Sequence, residues 1–165
     1  MRIMRTLIVY FSKFGNTRKV AETIAEGMRQ AGDARVVNID QLAASDLEGV
    51  DLVVAGTPTH AFTVPPVVRA ALDTLPQGTL AGKSVAAFDT TVRLWPLRLM
   101  RASPKLLRRL HQLGGEPVAP PRTFFVKTSG TQQPGEVDLL LEGEMERARK
   151  WADGLLNRSR TPAGK

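Results

Sequence analysis

Residues 6–28 constrain the fold more than any other part of the chain. Residues 7–11 form a continuous apolar run, which is the pattern of a strand covered on both faces by helices. Farther along, Val20, Ile24 and Met28 recur at helical spacing, and charged residues fill the opposite face. The pattern therefore predicts a buried strand, a short loop and an amphipathic helix.

The loop between this strand and helix is rich in small and polar residues. It consists of Ser12, Lys13, Phe14, Gly15, Asn16 and Thr17. Hydroxyl groups, free backbone N–H groups and the positive end of a helix dipole together suit a phosphate group. The loop matches neither G-x-x-x-x-G-K-[ST] nor G-x-G-x-x-G, so it is neither a nucleotide-triphosphate loop nor a dinucleotide fingerprint.

The rest of the chain continues the alternation of strand and helix. Further strands are predicted at residues 34–40, 50–56, 83–89 and 123–127, and helices at residues 42–47, 65–72, 103–113 and 138–156. Five strand-helix units without an internal repeat predict a single doubly wound parallel sheet. The predicted organisation is one domain at residues 1–157 and a flexible basic tail at residues 158–165.

Composition excludes several kinds of chemistry. The chain has no cysteine, which rules out disulfides, thiolate metal sites and cysteine nucleophiles. Its two histidines, His60 and His111, have no carboxylate at metal-ligand spacing, so no metal site is predicted. A G-x-S-x-G elbow is also missing, and no catalytic side chain is predicted. Because neither a membrane-spanning run nor a secretory signal is present, the expected location is the cytoplasm.

The positive charge is concentrated in one region. The formal net charge is +7, and residues 93–127 hold eight basic residues against one acid, while the remainder has fifteen of each. This region is either a solvated basic face or a surface that steers an acidic protein, an anionic substrate or a nicotinamide phosphate. Nucleic acid is disfavoured, because the basic residues are not interleaved with aromatic residues and no known binding module is present.

The first loop and its flanks resemble the flavodoxin signature. The matching positions are Ile8, Val9, Tyr10, Ser12, Gly15, Thr17, Ala21 and Ile24. The resemblance implies an α/β fold with a five-stranded parallel sheet of order 2-1-3-4-5 in a three-layer α/β/α sandwich, in the short-chain form. It also implies a non-covalently bound flavin mononucleotide (FMN) beyond the carboxyl ends of the strands, at the switch point of the sheet.

Three loops would hold FMN according to this resemblance. Residues 12–17 would bind the phosphate, and a second loop would lie along the dimethylbenzene and N5 side of the flavin. A third would meet the pyrimidine end. Many family members place a tyrosine in the third loop, whereas the only tyrosine here, Tyr10, lies in the first predicted strand. The second loop supplies Pro58, Thr59, His60, Ala61 and Phe62, and the third supplies Asp89, Thr90, Thr91 and, as substitute aromatic, Trp95.

The resemblance implies electron transfer through FMN to a redox partner protein or a small-molecule acceptor. Electron-carrier flavodoxins are typically acidic around the flavin, and this chain is basic, so its partner is expected to be acidic or anionic. One alternative is an NAD(P)H-dependent quinone or flavin reductase that uses the same FMN. Another is a flavodoxin-fold interaction module without a cofactor.

Overall fold

Strands and helices alternate along the chain in a computed structural model that describes residues 2–59, 63–93, 101–127 and 138–160. The strands are β1 (Met4–Tyr10), β2 (Gly32–Asn38), β3 (Leu52–Pro58), β4 (Ser84–Val92), β5 (Glu116–Pro117) and β6 (Arg122–Val126). The helices are α1 (Asn16–Arg29), α2 (Pro66–Asp73), α3 (Ala102–Gln112) and α4 (Glu144–Arg160). Two short 3-10 segments, Ile39–Gln41 and Ala44–Leu47, occupy the place of the helix predicted at residues 42–47.

The sheet confirms the predicted order of strands. Parallel pairs run β2-β1-β3-β4, and both β5 and β6 pair with β4. The fifth strand is thus split into two segments. Pro120 and Pro121 lie in the gap, and because proline has no N–H group it cannot donate to a ladder. β4 also runs to Val92, three residues beyond the predicted end of its strand.

Helices cover both faces of the sheet, as the three-layer prediction requires. Ile8 and Phe88 face the layer of α1 and α4, whereas Leu7 and Val53 face the layer of α2 and α3. This division follows from the period of two in a strand, which sends successive side chains to opposite faces. On the first face Phe88, Phe124 and Trp151 pack edge to face, with ring centroids 5.8–6.0 Å apart.

The last helix differs from the prediction at both ends. α4 begins at Glu144 rather than at residue 138, because residues 139–141 instead lie along the free edge of β6, where Leu141 N–H donates to Phe125 O at 3.0 Å. The helix continues through Arg160, whose Nη2 donates to Ala31 O at 2.7 Å. Residues 158–160, which belong to the predicted tail, are therefore helical, and residues 161–165 lie outside the described residues.

Candidate functional site

A cleft of about 370 Å³ lies at the carboxyl edge of the sheet. β2 lies on one side of β1 and β3 on the other, so the connections after β1 and β3 leave in opposite directions and open a crevice at this edge. The cleft brings together most of the predicted site. Its lining includes Ser12, Lys13, Phe14, Asn16, Thr17, Pro58, Thr59, Thr90 and Thr91.

The remaining predicted residues do not all fall in the cleft. Gly15 and Asp89 are absent from its lining. Four predicted site residues lie outside the described residues, so their assignment stays a prediction. They are His60, Ala61 and Phe62 in the second loop and Trp95 in the third.

Sequence reasoning missed five residues that line the cleft. They are Phe11, Val92, Val126, Lys127 and Leu139. Val126 and Lys127 could have been predicted from the sequence to line the cleft, because the last strand of a parallel sheet ends at the same edge as the others. Leu139 could not, since its position depends on how the segment before α4 returns to β6.

The first loop is shaped by a glycine in the left-handed region. Gly15 is the N-terminal cap of α1 and has a φ of 88°, a conformation that residues with a Cβ rarely adopt. Its N–H donates to Ser12 Oγ at 3.0 Å, which closes the loop on itself. The first N–H groups of α1 have no acceptors within their own helix.

Three polar side chains of the loop each offer an oxygen to another group of the protein. Ser12 Oγ accepts from Gly15 N–H, and Asn16 Oδ1 accepts from Leu139 N–H at 3.0 Å. Thr17 Oγ1 lies 2.8 Å from Thr90 Oγ1, and either hydroxyl can donate to the other. The Ser12 hydroxyl hydrogen and the Asn16 amide hydrogens have no acceptor among the described residues. When Thr90 donates, the Thr17 hydroxyl hydrogen is available as well.

This pattern of hydrogen bonds fits the phosphate of FMN. The side-chain oxygens of these three residues accept hydrogen bonds within the protein, whereas their donor hydrogens stay available to a ligand. They lie at the positive end of the dipole of a 14-residue helix. Farther along the cleft, Val92, Val126 and Leu139 supply apolar surface beside the hydroxyl groups of Thr59 and Thr91. Apolar walls with a few polar groups are typical of sites for small molecules and cofactors.

The charges around the cleft are positive. Lys13 and Lys127 line it, and no carboxylate of the described residues does. Lys13 Nζ lies 5.3 Å from the centre of the Phe14 ring, a cation–π contact at the entrance. Nearby, the Arg93 guanidinium lies 4.8 Å from the centre of the Phe125 ring.

Asp89 has a different role from its neighbour Thr90. It is fully buried, and its Oδ2 accepts from Ser103 N–H at 2.8 Å and from the Thr59 hydroxyl at 3.3 Å. Because β4 is extended here, Thr90 points to the α1 side and Asp89 to the α3 side. The carboxylate thereby binds the first turn of α3, which begins at Ala102, one residue before its predicted start.

Two other features bear on the site. Among the described residues, no group of three or more histidines, cysteines, aspartates or glutamates is placed to hold a metal ion. No helix in the described ranges combines the length and apolar character that a membrane crossing requires.

Comparisons with known proteins agree with this geometry. The flavodoxin family model matches residues 8–151. A flavodoxin from Clostridium saccharobutylicum is 33% identical over 89 residues, which are 53% of this chain and 56% of that protein. An NAD(P)H dehydrogenase (quinone) from Paraburkholderia phymatum is 35% identical over 112 residues, with the same shares of the two chains. The chain thus spans about half the length of the curated relatives it matches.

Solved structures give the same fold. Oxidised flavodoxin 2 from Bacillus cereus superposes with a TM-score of 0.75 at 21% identity, covering 93% of this chain and 99% of that one. The family match extends over most of the chain, and the sheet order and helix layers are those of the matched structures. The chain belongs to the flavodoxin family, whose members bind FMN.

Proposed function

We propose that this chain binds FMN in the cleft and transfers electrons through it. The observation that supports this most is the set of donor hydrogens on Ser12, Asn16 and Thr17 at the N-terminus of α1. Each of these side chains is oriented by a hydrogen bond to the protein before any ligand arrives. Such preorganisation lowers the cost of binding an anionic group.

Bound FMN would supply the redox chemistry, and the residues of the chain would hold and orient it. Ser12, Asn16 and Thr17 would donate to the phosphate, and the φ of Gly15 sets the shape of the loop. The flavin ring would be bordered by the other predicted residues that line the cleft, Pro58, Thr59, Thr90 and Thr91, and by Lys127. The predicted contacts of His60, Ala61, Phe62 and Trp95 complete the proposal.

The redox partner is proposed to be acidic or anionic. Lys13 and Lys127 line the cleft without a carboxylate among the described residues, and Arg93 and Arg101 both stack on Phe125 beside it. Positive charge at the edge of a site raises the rate at which negatively charged partners meet it, and salt reduces this effect. Reduction of an anionic acceptor should therefore slow as ionic strength rises, more than reduction of a neutral one.

The absorption spectrum of the purified protein tests cofactor binding. We expect a visible flavin band, or its appearance in the protein fraction when FMN is added to the apoprotein and unbound flavin is removed. Riboflavin, which lacks the phosphate, is the matched ligand control and should bind much more weakly. A colourless protein that does not retain FMN would favour the interaction module and overturn this proposal.

A second function, NAD(P)H-dependent quinone reduction, is supported by the Paraburkholderia phymatum relative. It uses the same FMN, so binding alone does not distinguish it from an electron carrier. The distinguishing assay supplies FMN-loaded protein with NADPH and a soluble quinone, and follows NADPH consumption. Multiple turnovers of NADPH oxidation identify the reductase. Bound FMN that is reduced only when a separate reductase protein is added identifies the carrier.

A further inference from the structure

A second concave site lies on α4 and the start of β6, away from the cleft. Its volume is about 230 Å³, and we call it the α4 basic pocket. It has no lining residue in common with the FMN cleft. The lining consists of Arg122, Arg147, Lys150, Trp151, Gly154, Leu155 and Arg158.

The two sites are separated along the same strand. Arg122 begins β6 opposite Phe88, whereas Val126 ends it beside the cleft. Four residues of extended chain span roughly 13 Å. An occupant of the α4 basic pocket is thus distinct from the phosphate of FMN.

Three of the four basic side chains in this pocket have no counter-ion among the described residues. No carboxylate of the described residues lines it, and Arg122, Lys150 and Arg158 form no hydrogen bond or ion pair with the described residues. Burial lowers the pKa of the Arg122 guanidinium, and the positive charges of Arg147 and Arg158 lower it further. Like charges held together at a concave surface create a positive potential that an anion would relieve.

Arg147 provides a fixed wall for this pocket. Its Nη1 lies 2.7 and 2.8 Å from the two carboxylate oxygens of Glu144, and its Nη2 donates to Thr123 O at 3.3 Å. Trp151 and Leu155 are buried and form the apolar floor. The other basic side chains of the pocket therefore surround a rigid wall and floor.

Gly154 keeps the pocket open. Glycine within a helix is destabilising relative to alanine, so its presence in α4 calls for a reason. Packing does not provide one, because no atom beyond its chain neighbours and the backbone of its own helix lies within 4 Å of the position that a Cβ would take. The vacant space above Gly154 belongs to the pocket itself.

We propose that the α4 basic pocket binds the phosphate group of a small molecule. The site is smaller than the range of about 300–1,000 Å³ typical of sites that enclose a drug-sized ligand, so it suits one compact group. Arginine forks match phosphate oxygens bidentately, and a phosphate has enough oxygens to engage several basic side chains at once. A carboxylate would satisfy only part of this set. The proposal does not depend on FMN binding, because it rests on different residues.

Titration calorimetry with inorganic pyrophosphate at low ionic strength tests the proposal. The titration is run with and without excess FMN, which would occupy the cleft and keep it from competing for the probe. We expect one binding event, and the Arg122→Gln/Arg158→Gln variant should weaken it at least about tenfold, since two charge-assisted contacts are lost. Arg35→Gln/Arg149→Gln is the charge-matched control, because both arginines are exposed and outside the pocket, and it should change the affinity by less than about twofold.

A variant without a change of charge completes the test. Gly154→Leu fills the pocket from a helical position where the added side chain has room, so the fold should be retained and pyrophosphate binding lost. An event that persists unchanged in Arg122→Gln/Arg158→Gln and in Gly154→Leu would belong to the cleft and overturn the proposal. Equal weakening in the two charge-matched double variants would overturn it too, as would tighter binding of an aspartate-rich peptide than of pyrophosphate. A nucleotide with a terminal phosphate, compared with its nucleoside, then shows whether the source is a nucleotide or free pyrophosphate.

Discussion

The hydroxyl groups of Thr17 and Thr90 lie 2.8 Å apart, although the residues are 73 positions apart in the chain. Both side chains are almost completely buried. The bond joins the first turn of α1 to the end of β4, and so connects the phosphate end of the cleft with the third loop. It fixes the orientation of the Thr17 hydroxyl, which we propose to contact the phosphate.

Replacing this hydroxyl pair should separate its structural role from its role in binding. Thr17→Val leaves the Thr90 hydroxyl buried without its partner and should lower the free energy of unfolding by about 1–3 kcal/mol. Thr17→Val/Thr90→Val removes both hydroxyls and keeps the shape, so most of that stability should return. Both variants should bind FMN more weakly. Urea unfolding and FMN titration measure the two effects, and additive destabilisation in the double variant would contradict a Thr17–Thr90 bond.

Gly15→Ala should reduce both stability and FMN affinity. A Cβ in the left-handed region destabilises the folded state by about 1–2 kcal/mol, and the loop can escape that strain only by moving its N–H groups. Gly78→Ala is a matched control, because Gly78 has a φ of 78° and no atom within 4 Å of an added Cβ, and it lies before β4 rather than at the cleft. Its stability should fall by a similar amount with FMN affinity unchanged. If Gly15→Ala leaves FMN affinity intact, the loop is not the phosphate site.

Asp89→Ala should act on stability rather than on FMN. The substitution leaves Ser103 N–H without its acceptor at the start of α3, which should lower the free energy of unfolding by about 1–3 kcal/mol. Asp89→Asn retains one acceptor oxygen and should lower it less. Thermal or urea unfolding gives these values. A change in FMN affinity at unchanged stability would instead support the contact with the flavin that the family resemblance implies.

Glu144→Gln should destabilise the end of the sheet where α4 begins. The Glu144 carboxylate is buried, and it accepts from Phe125 N–H at 2.8 Å and from Arg147. Hydrogen bonds to a charged group contribute about 1.5–3 kcal/mol each, and neutralising the group should remove about that much in all. Glu146→Gln is the control, since this exposed side chain faces Arg149 at 3.6 Å and such pairs contribute about 0–1 kcal/mol. Equal effects of the two substitutions on urea unfolding would show that the burial of Glu144 has no energetic role.

Much of the fold followed from local patterns in the sequence. The flavodoxin resemblance implied the strand order and the layers. The apolar run before Ser12, the helical stripe after Thr17 and the alternation of elements were enough to predict a doubly wound parallel sheet. These features depend on spacings of two to four residues, which the sequence displays directly. The composition of the first loop likewise indicated a phosphate ligand before any geometry was known.

Tertiary structure alone decided which residues share a site. Asp89 and Thr90 are adjacent in sequence, yet one binds α3 and the other α1, because β4 stays extended past its predicted end. Arg122 and Arg158 meet in the α4 basic pocket only because the helix continues four residues beyond its predicted end and packs beside β6. Local periodicity sets which elements form, but the contacts between elements depend on their exact ends and registers. The sequence by itself therefore determined which strands and helices form and the composition of the predicted phosphate loop. The packing of distant segments determined which residues surround them.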